Sequence, residues 1–320
     1  MEVLVFGAGA LGTILAAHLA DAGHAVTVLT RGKRAAQLRD GGLRVTGCSP
    51  REASCRIETD PAAIDRSELL LVALKSNDTA AALAPLRHLQ VEAALSVQNG
   101  VMKDDILLAC FGAGPVLGAM ADFSGEMLED GSVLFTRNVM LHIGELAGGH
   151  SERATAIAAV ITDAGINCRA AADILSVEWS KFVGWIGWVA ASVIGRRPTW
   201  EWLSDPDMGA MLIALTREAA QLAQRRGIAL RDESPLFAAS LVGGSDAAAL
   251  ARLAAMGEDM QHNAPDHRMS SLQDLERGAP LELAETFGFV LNEAEREGLD
   301  MPTVRCVYGQ LRGIDRMNRR

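Results

Sequence analysis

The chain has 320 residues, 49% hydrophobic and 22% charged, with a formal net charge of −10. This is ordinary globular composition with length for two domains, and the acidic balance leaves no basic footprint for nucleic acid. The five cysteines, at 48, 55, 110, 168 and 306, form neither a C-x-x-C pair nor a Cys/His cluster, so neither a disulfide framework nor a metal site is expected.

The chain opens on an apolar run that begins at Val3 and is broken by Gly7, Gly9, Gly12, His18 and Asp21. A spanning helix needs about 20 mostly apolar residues, so no membrane partner is expected. Glu2 is the only charge before the run, which lacks the basic start of a secretion signal. With the scattered cysteines, this points to a reducing cytoplasm. The pattern reads instead as strand, turn and helix: Glu2 to Phe6 is a short buried strand, and Leu11 to Ala20 has helical spacing. Between them, Gly7-Ala8-Gly9-Ala10-Leu11-Gly12 fits G-x-G-x-x-G. In that motif the first glycine permits the turn, the second lets backbone approach a pyrophosphate, and the third lets helix sit on strand. His24 to Thr30 follows as a second strand, completing a βαβ unit and predicting a dinucleotide site. That strand ends at Thr30-Arg31 without a carboxylate, and Lys33 and Arg34 lie just beyond. Cationic side chains there suit a 2′-phosphate, which predicts NADP rather than NAD; the plain alternative is a solvated basic loop.

Leu69 to Leu74 reads as a buried strand ending at Lys75, and Ala93 to Gln98 as another ending at Asn99-Gly100. Val116 to Met120, Val133 to Leu134 and Val139 to Ile143 are the later strand candidates. This alternation predicts an α/β domain with a largely parallel sheet, and such sheets bind ligands beyond the carboxyl ends of their strands. Gly7, Lys75 and Asn99 all fall at those ends. Near Asp173 the character changes. Asp173 can cap a long apolar helix from Ile174 to Ile194, closed by Arg196-Arg197-Pro198. Helical patterns then run Asp207 to Arg226, Asp246 to Met260 and Glu282 to Glu297, so the second domain is expected to be all-α. The boundaries are drawn at 1–172 and 173–320.

Lys181 sits inside the apolar helix. One reading has it snorkel to the surface; the other turns it toward a cleft, where it donates a proton. In the segment from His267 to Gly288, Ser270 can cap a helix starting near Ser271, and Glu282 can serve a helix dipole. Alternatively, both face a substrate.

Taken in order, the motifs GAGALG, LVALKSNDT around Lys75, SVQNG around Asn99, VEWSKF around Lys181, SSLQDLERGAPLE from Ser270 to Glu282 and the late EREGLDMPTV resemble the ketopantoate reductase (2-dehydropantoate 2-reductase) family over nearly the whole chain. The resemblance implies an N-terminal Rossmann domain and a helical C-terminal domain with the active site between them. It implies NADPH-dependent reduction of a 2-oxo acid, ketopantoate to pantoate, in pantothenate and coenzyme A biosynthesis. By position, Lys181 resembles the family's proton donor and Glu282 its carboxylate partner. Asn99 resembles the amide near nicotinamide and substrate, Ser270 a contact to the substrate carboxylate, Lys75 a lysine of the cofactor cleft and Arg31 the reader of the 2′-phosphate. The family usually carries asparagines four and eight residues after the lysine; here those substrate-facing places hold Trp185 and Val189. A pocket lined by these two favours a more apolar 2-oxo acid, so that substrate, or an opine-type dehydrogenation, is the alternative. A non-catalytic NADPH sensor is the second alternative. A homodimer is left open.

Overall fold

The computed structural model describes residues 1–232 and 236–319. It divides into two units, Met1–Glu178 and Trp179–Arg320. The division falls inside a helix, because the first turn of that helix packs with the first unit.

In the first unit the elements follow in the order β1 (Glu2–Phe6), α1 (Ala10–Asp21), β2 (Ala25–Leu29), α2 (Gly32–Gly41), β3 (Leu43–Gly47), β4 (Arg51–Ala53) and β5 (Arg56–Glu58). Then come β6 (Arg66–Val72), α3 (Thr79–Leu83), β7 (Gln90–Ser96), α4 (Met102–Phe111), β8 (Leu117–Met127), β9 (Val133–Glu145), α5 (Glu152–Asp163) and β10 (Cys168–Ala170). One sheet has the order β5-β2-β1-β6-β7, parallel throughout. It is the sheet expected from the alternating pattern. In the second sheet β9 pairs with β3 and β10 in parallel and with β8 antiparallel, while β4 runs antiparallel beside β3.

Helix α1 lies between the sheets. Its Ile14, Leu15, Ala16, Ala17 and Leu19 share one core with Val3, Val5 and Val28 of the first sheet and Val45, Leu117, Phe135 and Leu141 of the second. A helix covered on both sides must be apolar all round, which explains the membrane-like look of the N-terminal sequence. The opposite face of the parallel sheet buries Leu4, Phe6, Leu70 and Val72 against Leu83, Leu86, Leu107 and Val116. Each such side chain contributes about 1.5–3 kcal/mol on burial.

The structure corrects the later strands. Val133–Leu134 and Val139–Ile143 are one strand, β9, forming a long antiparallel hairpin with β8 outside the parallel sheet. The polar run Thr136-Arg137-Asn138 breaks the apolar pattern in sequence. On the hairpin it is tied across strands instead, by Thr136 to Ser124 at 2.9 Å and Arg137 to Asp122 at 2.8 Å. The ladder accommodates these residues through register shifts at Asp122/Phe123 and Ser124/Gly125.

Helix α6 (Ile174–Gly195) starts where expected: the Asp173 carboxylate accepts from the Ser176 amide at 3.1 Å and its hydroxyl at 2.6 Å. The second unit continues with α7 (Thr199–Ser204), α8 (Pro206–Arg225), α9 (Ala238–Gly243), α10 (Asp246–Asn263), α11 (Ser270–Glu276), α12 (Phe289–Arg296) and α13 (Pro302–Asn318). It holds no strand among the described residues. Its core gathers Trp188, Ala191, Leu212, Ile213, Leu241 and Leu253, with Trp188 edge-on to Trp202 at 5.2 Å. The helix expected from Glu282 to Glu297 is split. Ala284–Gly288 forms a π-helical turn before α12, and Glu282 stands just ahead of it. No helix among the described residues is long and apolar enough to cross a membrane.

Candidate active site

The loop after β1 is dictated by packing at two of its three glycines. Gly7 has φ +103°, a region side chains rarely adopt, and a Cβ there would stand 2.8 Å from the Ala73 carbonyl oxygen. A Cβ at Gly12 would stand 1.9 Å from the Gly7 oxygen, so α1 lies flush on the end of β1. Gly9 differs: the nearest protein atom to a Cβ there is the Ala73 oxygen at 4.0 Å. Protein packing does not demand glycine at this position, whereas close approach of a phosphate does. Gly9 is also the N-cap of α1 and supplies no side-chain acceptor. The first-turn amides of Ala10, Leu11 and Gly12 therefore have no cap competing for them. Ala8 is buried, and the half-buried Leu11 packs against the core. These residues fit a dinucleotide pyrophosphate.

The parallel register brings the other first-unit residues to the same edge. Phe6 pairs with Leu29 and Val72, and Val72 with Ser96. Gly7, Ala73 and Val97 thus leave the sheet side by side, each amide bonded to the neighbouring strand, at 3.0, 2.8 and 3.0 Å. Lys75 and Asn99 stand two residues further along their segments. Gln98, a residue the sequence did not single out, is buried between them. Its amide donates to the Leu74 oxygen at 3.0 Å and the Thr79 hydroxyl at 2.7 Å, and it accepts from Ser96 at 2.9 Å. It fixes the loop of Lys75 to the loop of Asn99.

Arg31 is exposed and forms the N-cap of α2, directly after β2. The basic stretch therefore opens a helix, with Arg31 and Lys33 both exposed to solvent. Arg34 is corrected too: its guanidinium is committed to protein acceptors around the glycine loop and is not an open 2′-phosphate ligand. A carboxylate does lie nearby, on the adjacent strand. Glu58 pairs with Leu29 in register, yet its side chain turns back on its own loop. The amides of Asp60 and Thr59 and the Arg56 guanidinium hold its pKa down at about 2.

In the second unit, Lys181 and Trp185 are both half-buried one turn apart on unbroken α6, with the Lys181 ammonium 5.7 Å from the Trp185 ring centre. Val189, a further turn on, is buried. Ser270 is the first residue of α11, exposed, while Met269 is the N-cap and no side chain caps that helix. The capping explanation for Ser270 therefore falls away. Glu282 is half-buried, and its carbonyl accepts from Thr286 at 2.6 Å as the π turn begins. Such turns occur often at functional sites.

Sequence reasoning missed a buried charge cluster in the first unit. The Lys103 ammonium on α4 donates to the Glu178 carboxylate at 2.6 Å and lies 3.5 Å from Asp104. The same Glu178 oxygen accepts from the Ala119 amide at 2.7 Å. Burial opposes the Lys103 charge, but Asp104 and Glu178 outweigh it and hold its pKa above the lysine norm. Burial, then Glu178, pushes Asp104 well up. The available signal was Glu178 itself, a charge in the apolar start of α6 three residues before Lys181.

Comparison with known proteins agrees with this geometry. The family model described as ketopantoate reductase PanE/ApbA matches residues 3–148, and its C-terminal counterpart matches residues 173–315. A 2-dehydropantoate 2-reductase from Archaeoglobus fulgidus is 28% identical over 314 residues, 98% of each chain. Among solved structures, a ketopantoate reductase from Ralstonia eutropha JMP134 superposes with TM-score 0.83 at 23% identity over 100% of both chains. A D-mandelate dehydrogenase with NADH and anilino(oxo)acetate reaches 0.85 at 17% identity over 99% of both. These two likenesses establish a shared fold. With both family models matched in order across the two units, the chain belongs to the ketopantoate reductase family, whose members are NADPH-dependent oxidoreductases.

Proposed function

We propose that the chain reduces 2-dehydropantoate to pantoate with NADPH, in the cytoplasm, with residues 1–172 holding the cofactor and 173–320 the substrate and proton donor. The observation that supports this most is Gly9, a glycine that the fold does not need and a pyrophosphate does. Bound NADPH supplies the hydride for the carbonyl carbon. Arg31 takes the 2′-phosphate as a cation on a helix start, and Lys75 lines the cofactor cleft. Asn99 orients nicotinamide and substrate. As negative charge develops on the carbonyl oxygen, Lys181 stabilises it and gives a proton. Glu282 keeps Lys181 charged and aimed. The exposed Ser270 hydroxyl, unused as a cap, donates to the substrate carboxylate.

A second reading rests on Trp185. Its ring centre lies 5.7 Å from the Lys181 ammonium, so a substrate reaching Lys181 would meet apolar surface there. With Val189 this favours a branched, unhydroxylated 2-oxo acid. The test is NADPH oxidation by purified protein across 2-oxo acids, including ketopantoate and 2-oxoisovalerate. Highest kcat/KM for ketopantoate supports the first reading, and preference for 2-oxoisovalerate supports the second. No oxidation with any acid contradicts both and leaves a cofactor sensor.

A further inference from the structure

Arg34 occupies an unusual position for a basic residue of a cofactor domain. From the first turn of α2 it reaches back under the glycine loop. Its Nε donates to the Ala8 carbonyl at 2.9 Å, one terminal nitrogen to the Thr13 hydroxyl at 2.9 Å and the other to the Gly131 carbonyl at 2.7 Å. Thr13 is fully buried and itself donates to the Ala8 carbonyl at 3.2 Å. Gly131 belongs to the β8–β9 turn, with φ +83°, and a Cβ there would lie 3.3 Å from the same guanidinium. One planar fork thus joins the glycine loop, α1 and the hairpin turn to the helix that Arg31 caps.

All three partners are neutral. The carboxylate nearest in sequence to the hairpin end of this fork, Asp130, is taken by the amide and hydroxyl of Ser132 at 2.9 and 2.6 Å and by Arg44 at 3.3 Å. Arginine keeps its proton in proteins, and burial lowers the Arg34 pKa from its ordinary value. Hydrogen-bonded to neutral acceptors and with no ion pair among the described residues, the half-buried guanidinium keeps a charge that a nearby anion can answer. Here it stands directly beneath a loop suited to two phosphates.

We infer that Arg34 is a positioning residue for the cofactor: its fork sets the Ala8 carbonyl and the loop geometry, and its unneutralised charge attracts the dinucleotide phosphates from behind the loop. This rests on the reading of Gly7 to Gly12 as the dinucleotide site. It assigns Arg34 a part different from that of Arg31. Arg31 distinguishes NADPH from NADH, whereas Arg34 supports both, because the pyrophosphate is common to them.

The experiment measures dissociation constants for NADPH and NADH at low and high salt, with the melting temperature of each free protein, for wild type, Arg34→Gln and Arg34→Lys. Arg34→Gln is expected to weaken both cofactors about 10-fold, the scale of losing one charge-assisted hydrogen bond. The ratio between cofactors should stay unchanged, and binding should become less sensitive to salt. Arg34→Lys keeps the charge and loses the fork, so it should recover part of the affinity and retain the salt dependence. If Arg34→Gln lowers the melting temperature but leaves both affinities at wild-type values, the residue is scaffold alone and the inference fails. Loss confined to NADPH would make Arg34 a 2′-phosphate contact and overturn it as well. A wild-type protein that binds neither dinucleotide removes the cofactor reading itself, and this inference with it. Should Arg34→Gln not fold, the salt dependence of Arg34→Lys decides: a slope below that of wild type contradicts the charge role.

Discussion

The glycine loop and helix α6 prepare their chemistry in different ways. The loop is a backbone device: glycines are forced at 7 and 12 by protein atoms closer than van der Waals contact, and the groups it offers are the first-turn amides of α1. Helix α6 works through side chains on a regular frame, with Lys181 and Trp185 one turn apart. Its first turn is tied to the first unit by the buried Glu178–Lys103 pair. In the loop, packing fixes Gly7 and Gly12 but leaves Gly9 open, so substitutions at its three glycines should carry different costs. On the helix they separate: Glu178 serves the fold, and Lys181, three residues on, is the proposed proton donor. Removing one should leave the other's contribution visible.

The largest effect expected is on the fold side of that division. Lys103→Met strands Glu178 in the core and should cost about 3–5 kcal/mol, whereas Lys103→Met with Glu178→Leu should recover most of it. Chemical denaturation of the two variants checks this; equal losses would show that the pair is not acting as a unit. Next comes the loop. Gly12→Ala drives a methyl into the Gly7 carbonyl and should cost about 3 kcal/mol or more, while Gly9→Ala should leave stability within about 0.5 kcal/mol and still impair NADPH binding. Thermal melts beside cofactor titrations separate the two. Equal stability losses would contradict the distinction drawn between packing and ligand approach.

Much of this contrast was legible in sequence, and the reason is local. The loop's motif and the cap at Asp173 depend on neighbours within a few residues and stand where the pattern put them, while β6 and β7 end at Val72 and Ser96, two residues short of the ends expected before Lys75 and Asn99. What was not legible depends on distant partners. Arg34 reads as one more base until Gly131 comes to it across the hairpin. Thr136 to Asn138 read as a break until β8 supplies polar partners. Glu58 is remote from Thr30 in sequence yet next to it in the sheet, the Thr30 amide donating to its carbonyl at 3.0 Å. The π turn after Glu282 replaces a regular helix start, and no periodicity signals an i→i+5 bond such as Gly288 to Leu283.

A smaller effect sharpens the loop's side of the comparison. Arg31→Ala should narrow a preference for NADPH over NADH of about 10-fold, or 1.4 kcal/mol, with the melting temperature unchanged because the side chain is exposed. Equal affinities in the wild type would contradict the assignment. The smallest concerns His18 on α1, bonded at 2.8 Å to the Ile14 carbonyl and 3.1 Å from the Ser49 hydroxyl. Burial lowers its pKa below 6.5. A depressed folded value means that its contribution is present above 6.5 and lost as pH falls through the folded pKa. Urea midpoints should therefore drop on acidification below 6.5, less steeply in His18→Gln; identical slopes would remove His18 as the cause.

As proposed, reduction of a 2-oxo acid by this chain needs both the dinucleotide loop and Lys181 as proton donor. The most direct test is single-turnover NADPH oxidation with ketopantoate, at saturating cofactor, for wild type and Lys181→Ala. Oxidation by the wild type and a fall of roughly 10²-fold or more in the variant are expected, with NADPH affinity and melting temperature unchanged. Near-normal turnover in Lys181→Ala would contradict it and return Lys181 to the surface.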